Sequence, residues 1–175
     1  MAKRKSLLKN FYPKYTFEKV EDIPYELIKK DGIKLILMDM DNTLIDNRKE
    51  YSKNLKKWIK DIKSKGVILY IVSNSFSTKI VKRISKELGV RYYYKATKPR
   101  RKGFKAVCEQ FPDISKSEIM MVGDQLFTDV VGARRMKMFS ILVKQVDKKD
   151  LWYTAWKRPL ERRLLKKYLE KKGKV

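Results

Sequence analysis

The run IKLILMDMDNTLIDNRKE, residues 33–50, decides how the rest of the chain is read. Counted from Asp39, it carries acids or polar oxygens at loop positions one, three, four, five and eight, with Glu50 at position twelve. That spacing is close to an EF-hand calcium loop. Position six of such a loop must be glycine for the sharp turn, and here it is Leu44. Residues 33–39, after Gly32, are instead a nearly unbroken apolar run, which predicts a strand buried on both faces of a parallel sheet. Acids at the carboxyl end of such a strand lie where open α/β sheets bind ligands.

Outward from that strand the pattern alternates. In residues 52–66, Leu55, Trp58, Ile59 and Ile62 share one helical face, with Ser52 as N-cap and Gly66 as the stop. VILYIVS (67–73) predicts a second buried strand, and 77–89 a helix with Ile80, Val81, Ile84 and Leu88 inward. Further strands are predicted at 90–94, 119–124 and 139–144, with helices around 101–111 and 128–137. Cys108 falls on the apolar face of the first of these, a packing position. The alternation predicts an α/β fold, a doubly wound, Rossmann-like parallel sheet of about five strands with helices on both faces. One domain is expected over 1–175, with basic extensions at about 1–30 and about 150–175. The second extension opens with Trp152, Tyr153 and Trp156 and continues as an amphipathic helix with a basic face. It fits either a terminal helix docked on the domain or an interfacial helix on an anionic bilayer.

Lys and Arg number 44 against 20 Asp and Glu, a net charge of +24. The excess fits an anionic partner, a membrane surface or nucleic acid, or else a lysine-rich solvated surface. The absence of histidine removes His-dependent triads and most zinc sites, and one cysteine removes disulfide frameworks and thiolate clusters. The basic N-terminus has only two consecutive leucines, too few for a signal-peptide core, and no stretch approaches the ~18 apolar residues of a membrane span. A cytoplasmic protein is expected, with any membrane contact peripheral on the inner face.

The predicted strand ends carry the chemistry. They supply Asp39 and Asp41, then Ser73, then Lys98 in the turn ATKP, then Asp124 and Asp129 in VGDQLFTD. Several carboxylates in one crevice repel one another unless a cation sits among them. Oxygen ligands without imidazole or thiolate favour Mg2+. With a hydroxyl and an amine beside them, the set predicts phosphoryl transfer.

In order and placement these four motifs resemble the haloacid dehalogenase superfamily, subfamily IIIA, in capless form: neither connection that holds a cap in that superfamily is long enough for one here. The resemblance implies Asp39 as nucleophile forming an aspartyl-phosphate and Asp41 as general acid and base. It implies Ser73 and the Asn74 amide as phosphate ligands, and Lys98 as the charge neutralising the transition state. Mg2+ would be held by Asp39, the Asp41 carbonyl, Asp124 and Asp129. Arg100 and Arg101 beside Lys98 fit either further phosphate contacts or a solvated helix start. IKLILMDMDNTL, VSNS, ATKP, VGDQLFTDVVGARR and a late Arg158/Glu161 element are similar to the phosphatidylglycerophosphate phosphatase family. That implies an anionic phospholipid substrate and peripheral membrane association. The alternatives are a broad-specificity soluble phosphatase or a basic domain binding RNA or ribosomes; the open site suits either a bulky substrate or closure by an oligomer partner.

Overall fold

The computed structural model describes residues 11–147 and 158–172. Its centre is a wholly parallel sheet of β1 (Tyr15–Phe17), β2 (Leu35–Met38), β3 (Ile68–Val72), β4 (Arg91–Tyr93), β5 (Ile119–Gly123) and β6 (Phe139–Val143). The spatial order is β1-β6-β5-β2-β3-β4. All four residues of β2 are buried, as an apolar run covered on both faces requires. From β2 the chain winds outward through β3 and β4, then returns to β5 on the other side of β2. The switch in direction leaves a crevice beyond the ends of β2 and β5.

The connecting helices are α1 (Tyr25–Lys30), α2 (Lys53–Ser64), α3 (Thr78–Leu88), α4 (Arg101–Cys108) and α5 (Val131–Arg135), and the chain closes with α6 (Arg158–Lys172). One core packs α2 and α3 against Ile36, Met38, Leu69 and Ile71; the other packs α4 and α5 against Leu35, Leu37, Tyr70 and Met121. The predicted N-cap of α2 is present, with Ser52 Oγ accepting from Leu55 N at 2.9 Å. Cys108 is half-buried against the second core, and burial pushes its thiol pKa up.

The sheet has six strands where about five were expected. The extra one, β1, is three residues long and pairs with β6 alone, so it shows no extended apolar run. Residues 15–30, read from sequence as part of a basic extension, also supply Val20, Ile23 and Ile28 to the core. Trp58 Nε1 donates to the Ile23 carbonyl at 2.8 Å and fixes that segment over α2. The helix expected at 128–137 is a π-helical turn at Leu126–Val130 followed by α5. Over 158–172 the docked reading holds: Leu164 and Leu165 of α6 pack on Leu126, Val130 and Leu142, and Tyr168 is buried. Trp152, Tyr153 and Trp156 lie outside the described residues. Among the described residues, no helix is long and apolar enough to cross a membrane.

Candidate active site

Met38 of β2 stands opposite Val122 of β5, so the residues that follow these strands emerge side by side. Asp39 N continues the ladder by donating to Val122 O at 2.8 Å, and Asp124 follows the last residue of β5. The π-helical turn then brings Asp129 back over the strand end, where its Oδ2 accepts from Gln125 N at 3.1 Å. A Cβ on Gly123 would overlap the Asp129 carboxyl, so this return path requires glycine. One oxygen from each of Asp39, Asp124 and Asp129 lies within 4.8 Å of the others, and all three residues are buried.

Lys98 reaches the cluster from the loop after β4. Its Nζ lies 2.6 Å from Asp39 Oδ1 and 2.8 Å from Asp129 Oδ1, the second an ion pair without hydrogen-bond alignment. The loop is held by Asn74, whose Oδ1 accepts from Lys98 N at 2.7 Å and whose Nδ2 donates to Lys98 O at 3.0 Å. The Asn74 side chain therefore positions Lys98. Ser73 is fully buried, and its Oγ accepts from Ser75 N at 2.9 Å. Thr43 Oγ1 lies 3.4 Å from Asp39 Oδ2 and 3.3 Å from Asp124 Oδ1, long contacts that one proton serves in turn.

Asp41 stands apart from the cluster. Its carboxylate pairs with Lys49 Nζ at 2.9 Å. The backbone folds back here through an Asp41–Ile45 bridge, with Asn42 at φ 61. Val146 N and Asp147 N donate to the Asn42 carbonyl and Oδ1, which ties this loop to the end of β6. Asp46 and Glu50, which completed the calcium-like count, bond each other in a local turn. Arg100 and Arg101 are exposed at the start of α4, outside the buried cluster.

With all three carboxyls ionised against one ammonium, two negative charges would be in excess inside the protein. Burial pushes the Asp39 pKa up to about 8; Lys98 opposes the shift, while Asp129 and Asp124 add to it. For Lys98, burial alone would lower the pKa, but Asp129 and Asp39 outweigh it and hold the amine above its ordinary value. An all-oxygen set with surplus negative charge fits a hard divalent cation.

The sequence profile described as mitochondrial PGP phosphatase matches residues 3–146. The chain belongs to the PGP phosphatase family. This family member is 35% identical over 170 residues to a Bacillus subtilis protein named "Probable phosphatase YqeG", covering 97% of both chains. It is 28% identical over 173 residues to the Arabidopsis thaliana "Phosphatidylglycerophosphate phosphatase 1, chloroplastic/mitochondrial", covering 91% of this chain and 48% of that one. An uncharacterized protein from Listeria monocytogenes superposes with TM-score 0.53 at 22% identity, over 77% of this chain and 99% of the other. The cobalt-bound deoxy-D-mannose-octulosonate 8-phosphate phosphatase of Haemophilus influenzae gives 0.50 at 15%, over 80% and 91%. The chain thus has the haloacid dehalogenase fold and belongs to a family of phosphatases.

Four contributors to the site carried little or no assigned role in the sequence. Gly123 had a signal, a glycine at a strand end before an acid. Glu161 stood in a recognisable late element without a role, and Thr43 read only as a loop residue. Lys49 had no signal, because its pairing with Asp41 depends on the fold-back of the loop.

Proposed function

We propose that this protein is a Mg2+-dependent phosphomonoesterase that removes the terminal phosphate of phosphatidylglycerophosphate on the cytoplasmic side of an anionic membrane. The observation that carries the hydrolytic reading is the buried Asp39–Asp124–Asp129 cluster with Lys98 bonded into it, beyond the ends of central strands. The family match and the name of the Arabidopsis relative support the lipid substrate.

Asp39, Asp124 and Asp129 would hold Mg2+, with the Asp41 carbonyl beside them. Bound there, the ion supplies the positive charge that keeps Asp39 ionised and neutralises phosphoryl oxygens. An Asp39 carboxylate oxygen attacks phosphorus, and the bond from phosphorus to the leaving oxygen breaks. Asp41, released from the Lys49 ion pair and protonated from solvent, gives that proton to the leaving oxygen. Asp41 then takes a proton from water as the water attacks the aspartyl-phosphate, which frees inorganic phosphate and restores Asp39. Lys98 stays protonated and offers its charge to the phosphoryl oxygens, and Ser73 with the Asn74 backbone amide would hold the others.

Between β2 and α2 there is only a loop, and between β3 and β4 only loops and α3, so neither connection holds a cap domain. An open crevice suits a phosphate presented on a large surface. The test is phosphate release from phosphatidylglycerophosphate in mixed micelles with Mg2+, by the wild type and by Asp39→Asn. Release by the wild type alone supports the proposal. Turnover of small phosphomonoesters without release from the lipid would move the substrate to the soluble class.

A further inference from the structure

Phe76 is 81% exposed, the most exposed large apolar side chain among the described residues. A solitary exposed aromatic is ordinary on a protein surface, so exposure alone decides nothing. Its position is what matters. Phe76 sits three residues past Ser73, in the loop between β3 and α3. That loop is bonded to the loop of Lys98: Lys95 N donates to Ser75 O at 3.3 Å, Ala96 N to Ser73 O at 3.0 Å, and Asn74 clamps both sides of the Lys98 peptide. Phe76 therefore projects from the same rim that frames the candidate site. The Lys95 ammonium lies 5.9 Å from the Phe76 ring and 5.7 Å from the Tyr94 ring.

The rim is also electropositive in a way the local fold does not favour. α2, α3 and α4 all start at this edge, and none has an acidic residue in its first turn. Their first turns instead carry the exposed cations Lys53, Lys79, Arg101 and Lys102, with Arg100 just ahead. The helix dipole disfavours cations at that end, so these charges work against helix stability. An external anionic surface facing the rim would reverse that balance.

We infer that this rim is a docking surface for an anionic lipid bilayer, with Phe76 as the inserted side chain and Lys79, Lys95 and Arg100 at the head-group phosphates. The inference rests on the membrane-borne substrate of the reading above and adds the surface by which the open site is held against it. Stable interfacial attachment takes an apolar and an electrostatic contribution together, and the rim offers both. Lysine and arginine keep their charges at the head groups while their stems lie along the apolar side chain. Docking in this orientation points the crevice at the leaflet. A nucleic acid would also meet the cations, but it would not turn the site toward a phosphate borne on a lipid.

The experiment uses the full chain with vesicles of mixed phosphatidylglycerol and phosphatidylcholine, and with pure phosphatidylcholine vesicles as the control. Sedimentation with the anionic vesicles is expected to weaken about tenfold in Phe76→Ser and to be restored in Phe76→Trp. The extra fluorescence of Phe76→Trp, read against the three native tryptophans, shifts to the blue on binding and is quenched by brominated acyl chains. Hydrolysis of p-nitrophenyl phosphate stays unchanged in Phe76→Ser, while turnover of vesicle-borne phosphatidylglycerophosphate falls with binding. Vesicle binding indifferent to Phe76, or a fluorescence shift produced by single-stranded RNA but not by vesicles, overturns the inference. Phe76-dependent vesicle binding without release of phosphate from the lipid upholds this surface and removes only the substrate. Hydrolysis of the lipid in micelles with binding indifferent to Phe76 removes only the surface.

Discussion

Glu161 Oε1, on the first turn of the C-terminal helix, accepts a hydrogen bond from Phe127 N at 3.0 Å. Phe127 belongs to the π-helical turn that delivers Asp129, so a carboxylate from residue 161 braces the acid loop across the domain. Glu161 is 6% exposed, and losing a buried, charge-assisted bond of this kind costs about 2 kcal/mol. Glu161→Ala is expected to lower Tm and weaken Mg2+ binding together. Glu161→Gln, which keeps an acceptor oxygen, recovers most of both. Thermal unfolding and calorimetric Mg2+ titration of the two variants check this; equal Mg2+ affinity in all three proteins would remove Glu161 from the site.

Gly123 and Asp129 occupy space that a methyl group cannot share. Gly123→Ala leaves the apolar strand interior intact but pushes the Asp129 carboxyl away from Lys98. Mg2+ affinity is expected to fall by about tenfold or more, the usual effect of disturbing what orients a ligand. Far-UV circular dichroism should be unchanged. A variant that binds Mg2+ normally would mean that Asp129 does not need the position seen here.

Asp39 links metal binding to pH. Its folded-state pKa of about 8 stands above the ordinary 3.8, so in metal-free protein the fold favours the protonated carboxyl. That contribution to stability is fully present below about pH 4 and is lost as pH rises through about 8. In a chelator, wild-type Tm should therefore decline from pH 5 to 8 relative to Asp39→Asn, whose amide does not titrate. Excess Mg2+ should close the gap at pH 8 by stabilising the wild type. Activity of Asp39→Asn should be lower by about 10⁴-fold or more, as expected for a missing nucleophile. Parallel Tm–pH curves for the two chelated proteins would contradict the burial argument.

The central sheet and the acid set were legible because both follow from short-range pattern. Apolar runs ending at Asp39 and Asp124 fix strand ends, and a parallel sheet brings those ends to one edge. β1 was not legible, since three half-buried residues on an edge strand carry little periodicity. The π-helical turn read as an ordinary helix start, because its widened geometry is set by Asp129 returning over Gly123. Lys49 and Glu161 were not assigned roles for the same reason. Their partners lie 8 and 34 residues away along the chain and meet them through loop closure and helix docking, which no local spacing encodes.

The Asp41–Lys49 pair bears on the proton-transfer step. At 2.9 Å, with side-chain exposures of 19% and 27%, it is a partly solvated ion pair worth at most about 1 kcal/mol. Breaking it so that Asp41 can reach a leaving oxygen is therefore a small cost beside the reaction barrier. Lys49→Met is expected to change kcat by less than about tenfold, the rate equivalent of that energy. Asp41→Asn, which removes the proton donor itself, should lower kcat by about 10²–10⁴-fold. The loss should be larger for an alkyl phosphate, whose departing alkoxide needs the proton, than for p-nitrophenyl phosphate, whose phenolate does not. Equal losses on the two substrates would show that Asp41 does not protonate the leaving group. A Lys49→Met defect as large as that of Asp41→Asn would show that the ion pair, rather than its rupture, is the working state.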